Sequence, residues 1–428
     1  MSTQLSARRH LRLLALVAAL MLALVACGDG GDGAAEPAAD ETDEAPATET
    51  EEEPAEASGE PIRIGMLTSL TGPFTPWGVQ VQAGMHLAAE EINAAGGVDG
   101  RPIEIVEADD ANNPEEGIAA VERMVEQDGV VAIGGIISSD VGLATSRTAE
   151  ELGVPIFMVK AGAGTILSRD SRFTFRTCLP AAPMVAQPVA QYIQAQGQTK
   201  VGAIIADYAW GQAVREALED SIGALEGVEM QIEVAPVPEQ DFTQYLRRLE
   251  SFGPDVIVAT GHPPGSGPIT VQATDQGLDV PITGAWSPLA TVVGGVGEVA
   301  YDRYADFGCA DYDSDSYQDL AMRFLASSDL PFMEDDAVAA HGIVTMVAEA
   351  VGAAGDDREA VAQYLHDNSF DLPGYAHTVS WTEWGELAEA RPTFVIIREM
   401  TPPEGVSEAG NWYPELLIHA EPLEPFEP

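Results

Sequence analysis

Short apolar runs alternate with amphipathic stretches along most of this chain. The pattern is sharpest over 130–165. Residues 130–133 form a β-branched apolar run suited to a buried strand. Gly134 and Gly135 break that run. Ser138, Ser139 and Asp140 then offer N-cap side chains, and a helical pattern runs from Val141 to about Gly153. Residues 154–159 are a second buried strand, followed by the small-residue loop Ala161-Gly162-Ala163-Gly164-Thr165. The same alternation precedes this stretch. A strand at 62–67 leads to a helix at 78–93, with Val79, Ala83, Leu87 and Ile92 near one face. A strand at 103–106 and a helix at 115–127 follow. After an extended 173–177 the alternation restarts: helix 183–196, strand 201–206, a helix to about Leu225, strand 230–234, helix 242–252, and strands 256–259 and 281–284. Beyond these lie an extended 305–309, helices 316–327, 336–353 and 357–366, and late strands 379–381 and 393–397. The Pro- and Glu-rich 401–428 is expected to wrap the surface. Strands alternating with helices predict α/β architecture with parallel sheets covered on both faces, here in two units of similar build. Both loops of the 130–165 stretch then leave the carboxyl edge of a sheet, where open α/β sheets bind ligands. Small residues let a ligand approach the backbone, and N–H groups at a helix start favour an anion such as a carboxylate. The competing reading is that Ser139 or Asp140 only caps a helix.

The first sixty residues do not share this pattern. Arg8, Arg9 and Arg12 precede an uninterrupted apolar run at 13–26 that ends in Leu24-Val25-Ala26-Cys27. The run is a signal h-region; a spanning helix needs ~20 apolar residues. Small residues before a cysteine resemble the lipobox of bacterial lipoproteins, which implies cleavage before Cys27 and lipid on its thiol. The alternative is a plain secretory signal with an incidental cysteine. Residues 28–60 hold thirteen Asp or Glu and no Lys or Arg, so they read as a disordered acidic tether. No later segment is read as long and apolar enough to span a membrane.

The net charge is −49; the leader contributes +3 and the tether −13, leaving −39 for 61–428. Such a body has no general affinity for nucleic acid, which needs Lys and Arg against phosphate. Lys160 and Lys200 are the only lysines. Enzyme signatures are missing too: there is no H-E-x-x-H or G-x-S-x-G, and neither lysine follows a glycine as a phosphate-binding loop requires. Asp311-Tyr312-Asp313-Ser314-Asp315 opens like a calcium loop, but Ser316 replaces the needed glycine and Met322 the closing glutamate. No cofactor or metal is expected.

The run IRIGMLTSLTGPFTPWG from Ile62, followed by AGMHLAAEEINAAGGVDGRPIEIVEADDANNPEEG, resembles the N-terminal half of branched-chain amino-acid-type solute-binding proteins. These are the extracytoplasmic receptors of ABC importers. Phe175-Arg176-Thr177, Asp207-Tyr208-Ala209-Trp210-Gly211, Pro254-Asp255-Val256 and the segment 381–385 extend the likeness from Pro61 to about Met400. The resemblance implies the type I periplasmic-binding-protein fold: two doubly wound parallel-sheet lobes joined by three hinge crossovers. Lobe one becomes 61–177 plus 310–378, and lobe two 178–309 plus 379–428. A small solute is held between the lobes, closure is recognised by an ABC permease, and a monomer held to the bilayer through Cys27 is expected. The solute is expected to be an amino acid or a related small organic acid; a ligand-sensing receptor domain, or an aromatic-acid or amide-binding protein, of the same fold is the alternative.

Carried over one position at a time, the family's binding residues become Trp77, Ser138, Ser139, Ala161, Ala163, Trp210, His262 and Trp286. A hydroxyl is common in the family where Ala163 stands. The acidic residue that holds an amino acid's ammonium falls near Trp286. Three tryptophans at cleft positions, with carboxylate donors and no acid there, point to an acid with an apolar, aromatic body instead of a zwitterion. Asp207 is the nearest substitute acid. Lys160, just before the small loop, either points outward or meets an acid. Cys178 and Cys309 each adjoin a crossover, and the crossovers run side by side in the family. That implies a disulfide, with two isolated buried thiols as the alternative.

Overall fold

The computed structural model describes residues 57–260, 265–284 and 287–428. The leader, Cys27 and nearly all of the acidic tether therefore lie outside the described residues, as do His262 and Trp286. The first sheet is all parallel. Its strands are β1 (Ile62–Thr68), β2 (Ile103–Asp109), β3 (Ala132–Ile136), β4 (Ile156–Met158) and β5 (Thr174–Arg176), in the order β2-β1-β3-β4-β5. Ile62 pairs with Ile103, Ile64 with Ala132 and Ile156 with Thr174. The helices α1 (Thr75–Ala94), α2 (Pro114–Arg123) and α3 (Ser139–Leu152) are the crossovers that parallel pairing demands. Two glycines expected to break β3 lie inside it. Gly135 has φ +103°, and a Cβ there would stand 3.0 Å from the Leu67 carbonyl. The register shifts between Ile133 and Ile136, so glycine here accommodates a bulge rather than ending a strand.

The second sheet runs β12-β11-β10-β9-β8-β6-β7. Its parallel part holds β6 (Lys200–Ala206), β7 (Glu229–Ala235), β8 (Val256–Thr260), β9 (Ile282–Thr283) and β10 (Tyr304–Gly308). Helix α4 (Ala182–Ala195) leads into β6, and α5 (Ala209–Gly223), α6 (Thr243–Phe252), α7 (Ser266–Asp275) and α8 (Leu289–Val296) lie between these strands. The remaining helices, α9 (Asp315–Ser327), α10 (Asp335–Ala354) and α11 (Arg358–Asp367), precede β11 (Thr393–Glu399) and β12 (Trp412–His419). Both of these strands pair antiparallel, so the sheet is mixed and not wholly parallel. The surface wrap expected over 401–428 thus contains a strand, with Trp412 and Tyr413 almost fully buried. Pro414 hides it in the sequence, because proline is tolerated only at an edge, which is where β12 lies. A strand is also missing where one was expected: 379–381 makes only the single bridges Phe370–Val379 and Trp381–Leu387.

Helix α10 corrects the reading that nothing after the leader is apolar enough to span a membrane. By length and composition it qualifies, but 72% of its apolar window is buried within the protein. It packs along α1 and over β3 as a core helix.

Two passages between the sheets are pinned together. Cys178 follows β5, Cys309 follows β10, and their sulfurs are 2.07 Å apart with Cα atoms at 5.2 Å, a disulfide between neighbouring crossovers. The third passage falls later than the boundary at 378. Residues 379–390 remain against the first sheet, where the Trp381 indole N–H donates to the Arg176 carbonyl at 2.6 Å and its ring meets Phe175 edge-on. The chain joins the second sheet only at Thr393.

Candidate functional site

The small loop 161–164 is held from behind by a cation. Arg176, fully buried at the end of β5, forms an ion pair with Glu386 at 2.9 Å. The same guanidinium donates to the carbonyls of Ala161 and, at 2.7 Å, Ala163. Both carbonyls are thereby turned toward Arg176. The Ala163 N–H donates to the Ser139 hydroxyl at 3.2 Å. Ser139 is the first residue of α3, and Ser138, wholly buried beside it, has a hydroxyl with no partner among the described residues. The two small-residue loops of the first sheet therefore meet through Ser139. Arg176 and Glu386 were not singled out as site residues from the sequence. The only signal was the Phe175-Arg176-Thr177 match.

The second sheet delivers its aromatic residues to the same place. Trp210, in the first turn of α5, is 3% exposed. Its ring lies on Gly162 so closely that a Cβ there would fall 2.3 Å from Cζ3. The N-terminus of α5 is capped from the other sheet, since the Ala209 N–H donates to Asp140 at 3.2 Å. Burial, and then Asp140, push the Tyr208 phenol far above its ordinary range. Phe74 bridges the sheets: its ring is 5.4 Å from Trp77, stacked, and 5.6 Å from Tyr208. Trp77 is 5% exposed, and its indole N–H has no partner among the described residues. Trp77, Ser138, Ser139, Ala161, Ala163 and Trp210 are thus brought to one contact between the sheets.

Behind Trp77 lies a buried charge centre. Lys160 does not point outward. Its ammonium is 2.9 Å from Asp335 and 3.6 Å from Asp336, at the start of α10, and 5.7 Å from the Trp77 ring centroid. Burial pulls its pKa down, but Asp335 and then Asp336 outweigh burial, so the ammonium is held above its ordinary value. Burial raises Asp336 well above the carboxylate range, with Lys160 opposing. Glu334 is pushed up to about 8, chiefly by burial, and Asp306 on β10 to about 7 for the same reason. Glu334 accepts from the Ala290 N–H in the first turn of α8 at 2.8 Å, and Asp306 accepts from the Ser287 N–H, just ahead of α8, at 2.7 Å. Gln80 of α1 orients Glu334, accepting from its N–H at 3.1 Å while donating to the Phe332 carbonyl at 2.9 Å. Asp207, expected as the nearest acid, is exposed and accepts from Gln212, so it stands outside this centre. Among the described residues Cys178, Cys309 and Asp335 bring donor atoms within 4.8 Å of one another. The two sulfurs are bonded to each other and offer no thiolate.

An open groove of about 920 Å³ flanks the site, lined by Thr165, Arg169, Gln212, Glu216 and the tail residues Phe426 and Pro428. Phe426 seats on Gly164, and its carbonyl accepts from Trp384 at 3.1 Å.

The two α/β sheets thus meet with the 161–164 loop of one against the first turn of α5 on the other. The sequence profile of the periplasmic binding protein family matches residues 61–392, and the chain belongs to that family. It is similar to Leu/Ile/Val-binding protein homolog 3 of Brucella melitensis, 27% identical over 80% of this chain and 93% of the relative. In fold it resembles the leucine-binding protein LivK of Thermotoga maritima, with a TM-score of 0.73 and 19% identity over 84% of this chain and 99% of that one. It also resembles an ABC-transporter solute-binding protein from R. palustris in complex with benzoate, with a TM-score of 0.74 and 20% identity over 86% of this chain and 98% of that one. The protein is an extracytoplasmic solute-binding protein of the branched-chain amino-acid type, a family that works with ABC permeases and is not made up of enzymes.

Proposed function

We propose that this chain is the capture subunit of an ABC importer, tethered to the bacterial membrane by lipid on Cys27. It holds an amino acid or a related small organic acid between its lobes and presents the closed form to the permease. The observation that carries this reading is the meeting of the Ser139–Ala163 loops with Trp77 and Trp210, which come from opposite sheets. Backbone donors at strand ends suit a carboxylate. Flat indole faces suit an apolar body. His262 and Trp286, at the remaining family positions, are assigned to the same cleft. An aromatic-acid receptor is the second reading, favoured by the close approach of the Trp210 ring to Gly162 of the small loop. A thermal-shift screen of branched-chain and aromatic amino acids, benzoate-type acids and amides is expected to give stabilisation by one class, because a ligand bound only to the native state raises the melting point. X-ray scattering with that ligand should show compaction. Failure of every class to stabilise or compact the protein, with turnover found instead, overturns the reading.

A further inference from the structure

We propose that Lys160 occupies the place of a ligand ammonium, so that the cleft selects carboxylates lacking an α-amino group. The proposal rests on the capture function above and narrows the chemistry of its ligand. An α-amino acid presents its ammonium and carboxylate from one carbon, so a receptor for it must place a cation box beside its carboxylate donors. That juxtaposition is present here. The cation box is the Trp77 ring with Asp335 and Asp336, whose side chains are 5% and 0% exposed. The carboxylate partners are the 161–164 loop and the Ser139 hydroxyl, whose oxygen accepts from the Ala163 N–H and whose own proton is left to donate. Lys160 is the residue immediately before that loop, and its ammonium, 2% exposed, already sits in the box. A second ammonium brought there meets a like charge at close range in a dry setting, or must displace two ion pairs.

The remaining acids do not provide an alternative berth of equal quality. Glu334 and Asp306 are each engaged with a backbone N–H of 287–290. Burial also favours their protonated forms, which attract a cation weakly. Glu334 Oε2 and Asp336 Oδ1 have no partner among the described residues. They are the groups through which the opposite outcome, a zwitterionic ligand, would act.

Pairs of ligands differing only at the α-carbon test this directly. Isothermal titration of the wild-type chain compares leucine with 4-methylpentanoate, and phenylalanine with 3-phenylpropanoate. The des-amino acid of at least one pair is expected to bind roughly tenfold more tightly or better. Lys160→Ala, which empties the box, is expected to shift the preference toward the amine-bearing partner. Lys160→Met, similar in length but uncharged, serves if the alanine variant fails to fold. Wild-type protein binding the amino acid as tightly as its des-amino partner, or more tightly, overturns the inference and leaves the capture function standing. If neither member of either pair binds, the inference fails. If in addition the wider solute screen gives no stabilisation, the capture reading fails with it.

Discussion

Glu334 shows how one residue can couple two sheets and a pH response. Its carboxyl is buried and accepts from α8 of the second sheet, while its backbone N–H donates to Gln80 of α1, which packs on the first. Because burial raises its pKa in the folded state to about 8 from 4.5, the folded protein holds a proton there that the unfolded chain releases. Stability therefore falls as pH rises from about 4.5 to about 8, by at most ~1.4 kcal/mol per unit for one such group. Asp335 and Lys160 share the centre and the high net negative charge acts in the same direction, so the test is a difference between proteins. Glu334→Gln keeps an acceptor for Ala290 and removes the ionisation. In urea unfolding at pH 5 and pH 8, the variant is expected to lose less stability between the two than the wild type. An equal loss in both would show that Glu334 ionises freely. The same scale explains Arg176: its partner Glu386 is also fully buried, and such a pair holds local geometry more than it adds net stability. Here the geometry held is that of the loop carrying Ala161 and Ala163.

Among the elements, the contact between the 161–164 loop and α5 decides whether the sheets can approach. Gly162 is required because Trp210 takes the space a side chain would fill. Gly162→Ala is expected to hold the lobes apart. Ligand affinity should fall at least roughly tenfold, mainly through faster release, while the second clash, with buried Leu179 at 2.8 Å, costs about 1–3 kcal/mol of urea stability. Surface plasmon resonance with the ligand found by the screen reads both rates; unchanged dissociation would show that Trp210 yields instead. The elements also explain what the pattern alone could not. Periodicity located nearly every helix of both sheets to within a few residues, because each presents an apolar face to its own sheet. It missed β12, whose proline and alternating exposure are acceptable only beside β11 at an edge. It broke β3 at glycines that the bulge requires.

At the scale of the whole molecule, the disulfide pins two of the three passages between sheets and closes a segment of 131 residues. A cross-link over so long a loop restricts the unfolded chain strongly. Reduction is expected to lower unfolding stability by about 2–5 kcal/mol in urea, with little loss of affinity, because the hinge strands remain in their sheets. Peptide mapping of unreduced, unfolded protein after alkylation should find neither Cys178 nor Cys309 modified; two alkylated thiols would overturn the pairing.

The alternation of apolar strands and amphipathic helices was sufficient for the α/β class, for two units, for the helix start at Ser138 and Ser139, and for the strand-end loop at 161–164. Each of these rests on the near neighbours of a residue in the chain, so a linear pattern carries it. The charge centre was not legible. Lys160 and Asp335 are 175 residues apart, and Glu334, Asp335 and Asp336 read in sequence as an ordinary acidic helix start. Only the docking of α10 over the first sheet, with β10 and the base of α8 closing on it, removed water from these groups. Burial and distance act through space, so tertiary structure alone decided that the lysine faces acids instead of solvent, and that the acid nearest in the chain pattern, Asp207, stays outside.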